Sequence, residues 1–112
     1  MDLKDEVEEV RKELADLITK HLRENKIDVQ KARQEARDFL AILPIKDQLD
    51  LLTKLKNLGE KYNEAEKVYL TELEKFEDMK RDQILSQIRD FIKQGNIESA
   101  IAMAKTLTSP QA

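Results

Sequence analysis

The single histidine is the first residue of this sequence that could do acid–base or metal chemistry. A histidine acts as a general base or a metal ligand when a second polar group lies within hydrogen-bonding distance of its ring. No Glu-x-x-His or His-x-x-x-His spacing surrounds His21, and the residues one turn earlier are Leu17 and Ile18. The sequence therefore predicts a packing or surface histidine.

Closely spaced carboxylates are the second candidate for chemistry. Glu60, Glu64 and Glu66 are followed by Glu72 and Glu74. A dimetal site in a helical bundle needs inward-facing Glu-x-x-His pairs on separate helices, and one histidine cannot supply them. We therefore expect these glutamates to lie on a solvated face, and we predict neither a metal nor any other cofactor.

Nucleophiles and phosphate-binding loops lack their usual sequence context. Ser86, Ser99 and Ser109 fall in predicted helices or in the tail, away from the strained turn that presents a serine nucleophile. The two glycines are isolated, so no phosphate-binding loop is predicted, and the sequence contains no cysteine. We expect a protein that is not an enzyme and has no small-molecule substrate.

The composition is typical of long helices. Charged residues make up 38% of the 112 residues and aromatic residues 4%, with two glycines and two prolines. The length and the 40% apolar content suit one domain with a modest core. The sequence predicts an all-α fold: a single domain, 1–112, forming a small bundle of about five helices, with two helical hairpins flanking a long central helix.

The charge pattern disfavours two classes of partner. The net charge is −3 and both signs are interspersed, so neither a phosphate backbone nor an anionic membrane surface is an expected partner. The first ten residues lack the basic start and apolar block of a secretory signal, and no run of 18 apolar residues occurs. A cytoplasmic location is the expectation.

Residues 1–43 are predicted to form an N-terminal helical hairpin. Apolar residues alternate at spacings of three and four in both of its helices. Asn25 ends the first helix, Asp28 caps the second, and Pro44 disfavours helical geometry at Leu43. The predicted buried positions are Leu3, Val7, Val10, Leu14, Leu17 and His21 in the first helix, and Ala32, Ala36, Phe39, Leu40 and Leu43 in the second.

Residues 45–80 are predicted to form the long central helix. Gly59 and the polar segment 77–83 are the two positions where the helix could break. The apolar stripe continues in phase from Leu58 to Tyr62, whereas apolar residues become sparse near Asp82. We therefore predict a continuous helix through Gly59 and a break at Asp82.

Residues 82–107 are predicted to form a C-terminal helical hairpin, followed by a frayed tail at 108–112. Its first helix has an apolar face, Gly95 suits the left-handed residue after a helix, and Asn96 can cap the last helix. Asn25 and Gly95 occupy similar positions in the two hairpins, a similarity expected of either a duplication or two unrelated helical corners. The face of the first helix consists of Ile84, Leu85, Ile88, Phe91 and Ile92.

The apolar stripe of the central helix is the candidate interface. The stripe could be core that packs on the first two helices. Part of it could instead be a surface that binds a partner, since tyrosine is enriched at interfaces where its ring is buried and its hydroxyl stays in water. We predict a noncatalytic, coiled-coil-like interaction or scaffolding module that binds a protein partner or forms a homo-oligomer. The candidate interface residues are Leu55, Leu58, Tyr62, Ala65, Tyr69, Leu73 and Phe76.

A nucleic-acid-binding regulator is the alternative function. It would use one helical corner, with Lys26, Lys31, Arg33 and Arg37 on a single exposed face. Glu35 and Asp38 are interleaved with these cations, a pattern more typical of an ordinary helix surface.

Overall fold

The computed structural model describes residues 2–108, which form five α-helices and no strand. The all-α prediction with about five helices is confirmed. The helices are α1 (Leu3–Arg23), α2 (Val29–Ala41), α3 (Gln48–Gly59), α4 (Asn63–Lys93) and α5 (Ile97–Thr108).

The chain contains two compact units that meet between Leu73 and Glu74, within α4. The first, the N-terminal unit, consists of α1 to α3 and the first part of α4. The second, the C-terminal hairpin, consists of the rest of α4 and α5. The predicted single domain, 1–112, thus contains two units.

The core of the N-terminal unit draws side chains from all four of its helices. The three- and four-residue spacing in α1 places its apolar side chains on one stripe, as predicted, and this stripe packs on α2, α3 and α4. The buried cluster consists of Val10, Leu14, Ile18, Ala32, Phe39, Leu51, Leu55, Leu58, Tyr62, Ala65 and Val68.

The two helical corners have the same backbone geometry. Asn25 and Gly95 both have a positive φ, of 58° and 77°. The amide of the next residue then donates to a carbonyl five residues earlier, from Lys26 to His21 and from Asn96 to Phe91, at 2.9 and 2.8 Å. These bonds satisfy helix-terminal carbonyls, and the same geometry is expected of a duplication or of two unrelated helical corners.

The prediction of one continuous helix over 45–80 is wrong, because the helix ends at Gly59, the first of the two possible break points. Helix α3 begins at Gln48, after Asp47 accepts a hydrogen bond from the Asp50 amide at 2.7 Å, and it ends at Gly59. A Cβ atom at Gly59 would lie 2.9 Å from the Cα of Glu66, so only glycine allows α4 to approach this closely. The apolar stripe stays in phase across the break because α3 and α4 face the same core.

The predicted break at Asp82 is also wrong, because α4 continues from Asn63 to Lys93. Segment 77–83 contains no glycine or proline, and its residues form exposed helix. The ion pair between Arg81 and Asp78, at 3.4 Å, supports it. The scarcity of apolar residues in segment 77–83 therefore reflects the exposure of this part of α4 to solvent and not a break in the helix. Of the predicted tail, 108–112, Thr108 ends α5, and residues 109–112 lie outside the described part of the chain.

Candidate functional site

A buried polar cluster lies at the amino end of α4. His21 comes from α1, Glu35 from α2 and Glu64 from the first turn of α4. Their exposed fractions are 5%, 0% and 3%, and the His21 ring contacts the Glu64 carboxylate through Nδ1 and Oε2. Because an ionised Glu64 can only accept, His21 Nδ1–H is the donor. The cluster thus joins three helices.

The amino end of α4 explains why two carboxyl groups can be buried there. The first amides of a helix have no partner within the helix, and its dipole favours negative charge at this end. The backbone N–H of Ala65 lowers the pKa of the Glu35 carboxyl, and the backbone N–H of Glu64 lowers the pKa of its own carboxylate. Neither Glu35 oxygen has a hydrogen-bond partner of regular geometry. The helix end therefore offsets part of the cost of burying these groups.

The two carboxyl groups of the cluster have opposite pKa shifts. Burial, followed by the adjacent Glu64 carboxylate, raises the pKa of Glu35 to about 8. Burial alone would raise the pKa of Glu64 too, but the adjacent Glu35 carboxyl and the hydrogen bond from His21 together outweigh it and lower that pKa. At neutral pH Glu35 therefore carries a proton and Glu64 is ionised.

Tyr62 forms a second polar link between helices. Its hydroxyl donates to Oδ2 of Asp38 at 2.6 Å, which connects the α3–α4 turn to α2. Burial, then the hydrogen bond to Asp38, raises the pKa of Tyr62 to about 12. The hydroxyl thus remains a donor at any ordinary pH.

The buried cluster is placed to hold helices α1, α2 and α4 together. Its three side chains are at least nine-tenths buried. His21 lines the floor of a surface depression together with exposed side chains, among them Lys26 and Lys67. Among the described residues, no group of three histidine or carboxylate side chains is placed to hold a metal ion.

The sequence-based expectations for these polar residues are partly wrong. His21 is a packing histidine, as predicted, but its carboxylate partner lies 43 residues away, where no local spacing could reveal it. Glu60, Glu66 and Glu74 are exposed as expected, whereas Glu64 and Glu72 are buried, contrary to prediction.

A signal for Glu35 was present in the sequence of α2. Glu35 lies three residues after Ala32 and four before Phe39, and both of these residues are buried. That spacing places Glu35 on the core face. Ala36, predicted to be buried, is exposed instead. The helical period fits either residue, and the alanine is the expected core residue by type.

The seven candidate interface residues fall into two groups. Four are core residues of the N-terminal unit, and a partner could contact them only if that core opened. Tyr69, Leu73 and Phe76 are half-buried, Tyr69 packs against the core, and the Lys80 ammonium lies 4.8 Å from the centre of the Phe76 ring. The core residues are Leu55, Leu58, Tyr62 and Ala65.

The C-terminal hairpin leaves most of its apolar side chains in contact with solvent. Among its described residues, 74–107, Ala100 is the one buried side chain, at 5% exposure. Ile92 and Ile97 flank the corner and are 54% and 53% exposed, and Ile101, one turn after Ile97, is 52% exposed. Other exposed apolar residues are Met79, Leu85 and Leu107, and half-buried ones are Ile84, Ile88, Phe91 and Met103.

The four cations of the alternative hypothesis are all exposed. Arg33 and Arg37 are one helical turn apart, but Lys31 lies about 120–160° around α2 from them. Lys26 pairs with Glu24 at 3.4 Å. The three cations of α2 therefore do not form one continuous face, and nucleic-acid binding stays a prediction.

Comparisons with protein-family models, with curated protein sequences and with solved structures found no match to this chain. None of the helices in residues 2–108 combines the length and the apolar character that crossing a bilayer requires.

Proposed function

We propose that this protein is a noncatalytic helical interaction module and that the C-terminal hairpin is its binding element. The observation that carries the proposal is the exposure of apolar side chains on both helices of the hairpin, where Ala100 alone among residues 74–107 is buried. Helices need a second packed layer to bury an apolar stripe. A partner that covers the hairpin supplies this layer.

The location of the binding element differs from the sequence-based hypothesis. That hypothesis placed it on the stripe from Leu55 to Phe76, whose first part is core. The hairpin has more exposed apolar side chains than this stripe has, and they lie on two consecutive helices. Phe76, which is half-buried, precedes them on α4.

The balance of charge also supports a protein partner. Residues 74–107 contain six acidic and six basic side chains, so the whole net charge of −3 belongs to residues 1–73. A neutral, apolar element has no long-range attraction for a polyanion. Helical protein surfaces with a complementary apolar stripe are the partners that fit it.

Site-specific photocrosslinking tests the proposal. The chain has no cysteine, so Ile101→Cys and Leu49→Cys each accept one maleimide photocrosslinker. Both positions are exposed, at 52% and 65%, but Leu49 lies on α3 in the N-terminal unit. We expect a discrete adduct from position 101 in an extract of the source cells, and none from position 49.

The same experiment contradicts the proposal if position 101 gives no discrete adduct. Equal smears of products from both positions would also contradict it, because non-specific apolar contact has no preference for the hairpin. The mass of the adduct distinguishes a second copy of the chain from another protein.

A further inference from the structure

The distribution of charge along the second part of α4 indicates what covers the hairpin. Residues 74–78 contain three acidic and one basic side chain, whereas residues 80–93 contain four basic and two acidic ones. The two ends of this stretch therefore have opposite net charge. An antiparallel copy of the same helix would place each acidic end beside a basic end.

We propose that the C-terminal hairpin binds a second copy of this chain, so that two hairpins form an antiparallel four-helix assembly. This inference rests on the proposed function and names its partner. Each hairpin contributes two helices that expose apolar side chains, and four helices enclose a core in a way that two cannot. An isologous pairing of this kind closes on itself and stops at the dimer.

The exposed residues identify the contact surface. Leu85, Ile88 and Ile92 are three and four residues apart on α4 and form one stripe. Ile97 and Ile101 are four apart on α5, which follows α4 after the corner at Gly95. Pairing places these stripes against their counterparts and removes the exposed isoleucines from water.

The hairpin has no net charge, so repulsion between like net charges does not oppose its self-association. Two N-terminal units repel each other weakly through their net negative charge, but two hairpins carry no net charge. The charge polarity within α4 then selects the antiparallel arrangement, because parallel copies would place like charges together.

Sedimentation of the full chain over about a hundredfold range of concentration tests the proposal, because a dimer obeys mass action. We expect the mass to rise from 13.1 kDa toward twice that value. Ile101→Glu should weaken association by at least about tenfold, since it buries a charge in the interface. Leu49→Glu, on the exposed surface of α3, is the matched control and should associate as the wild type does.

Charge-reversal variants test the antiparallel pairing separately. A chain carrying Glu77→Lys and Asp78→Lys should be monomeric, and so should one carrying Arg89→Glu and Lys93→Glu. A chain carrying all four substitutions should recover the dimer, because opposite charges then face each other at both ends of an antiparallel pair, whereas a parallel pair would place like charges together. Helicity measured by circular dichroism confirms that each variant remains folded.

Each outcome bears on a different part of the inference. A wild-type chain that stays monomeric overturns the second copy as partner, whereas the proposed function is judged by the photocrosslinking adduct. A dimer that survives Ile101→Glu overturns the hairpin as the contact surface. A chain with all four charge reversals that fails to associate overturns the antiparallel pairing.

Discussion

Glu35 is the residue whose position departs furthest from ordinary expectation for its type. A fully buried glutamate is costly when ionised, and it avoids this cost by keeping its proton. The protonated carboxyl lies beside the ionised Glu64, which is paired with His21. The three residues thus bury a single carboxylate charge instead of two.

Substitution Glu35→Gln should make the protein more stable at alkaline pH and leave it nearly unchanged near pH 5. Unfolded Glu35 loses its proton at a pKa near 4.5, whereas folded Glu35 keeps it up to about pH 8. The folded state therefore binds more protons in this window, and the stability of the wild type falls as the pH rises through it. The variant lacks this loss, a difference of up to about 5 kcal/mol at about pH 9.

Urea denaturation of both proteins from acid to alkaline pH measures this difference. Glu60→Gln, a change at an exposed glutamate of the N-terminal unit, is the control and should follow the wild type. Parallel stability curves for wild type and Glu35→Gln would contradict the prediction.

At the scale of elements, the junction of α3 and α4 depends on the absence of a side chain at Gly59. The α4 backbone at Glu66 comes so close that a methyl group at residue 59 would overlap it. Both helices bury apolar side chains in the same core, so neither can move away without opening that core.

Gly59→Ala should therefore destabilise the N-terminal unit by about 1–3 kcal/mol, although alanine is the better helix former. Thermal or urea unfolding followed by circular dichroism measures this change. Asn57→Ala, at an exposed position of the same helix, is the control and should be neutral or slightly stabilising. A Gly59→Ala variant as stable as the wild type would show that the helices are not held at this distance.

At the scale of the whole molecule, burial is unevenly distributed between the two compact units. Of the 13 buried apolar residues in the described chain, 12 belong to the N-terminal unit and only Ala100 to the hairpin. Local stability follows the apolar contacts that a region makes. The hairpin therefore depends for its stability on whatever covers it.

Amide hydrogen exchange should separate the two units at low protein concentration. We expect amides of residues 80–107 to exchange much faster than core amides of α1 and α3, because opening the hairpin exposes little additional apolar surface. Raising the concentration should slow exchange in the hairpin and leave the N-terminal unit unchanged, since dimerisation protects only the paired element. Equal protection of both units at all concentrations would be the contrary result.

Several features of this protein depend only on residues that are neighbours along the chain. Apolar spacing predicted an all-α fold of about five helices and the core face of α1, although it misplaced the break between α3 and α4. Asp28 and Asn96 cap the helices that follow them, through bonds from the amides of Lys31 and Ser99. These features are encoded within one or two helical turns, so they can be read without tertiary structure.

Contacts between segments remote in sequence set which polar groups meet and where the predicted central helix breaks. Glu64 contacts a histidine 43 residues away, and the break at Gly59 follows from the approach of the α4 backbone. Likewise, the stripe that begins at Leu55 is buried because side chains from four helices pack around it, whereas most apolar side chains of the hairpin are exposed. Such outcomes depend on distances between segments remote in sequence, and apolar periodicity carries no information about those distances.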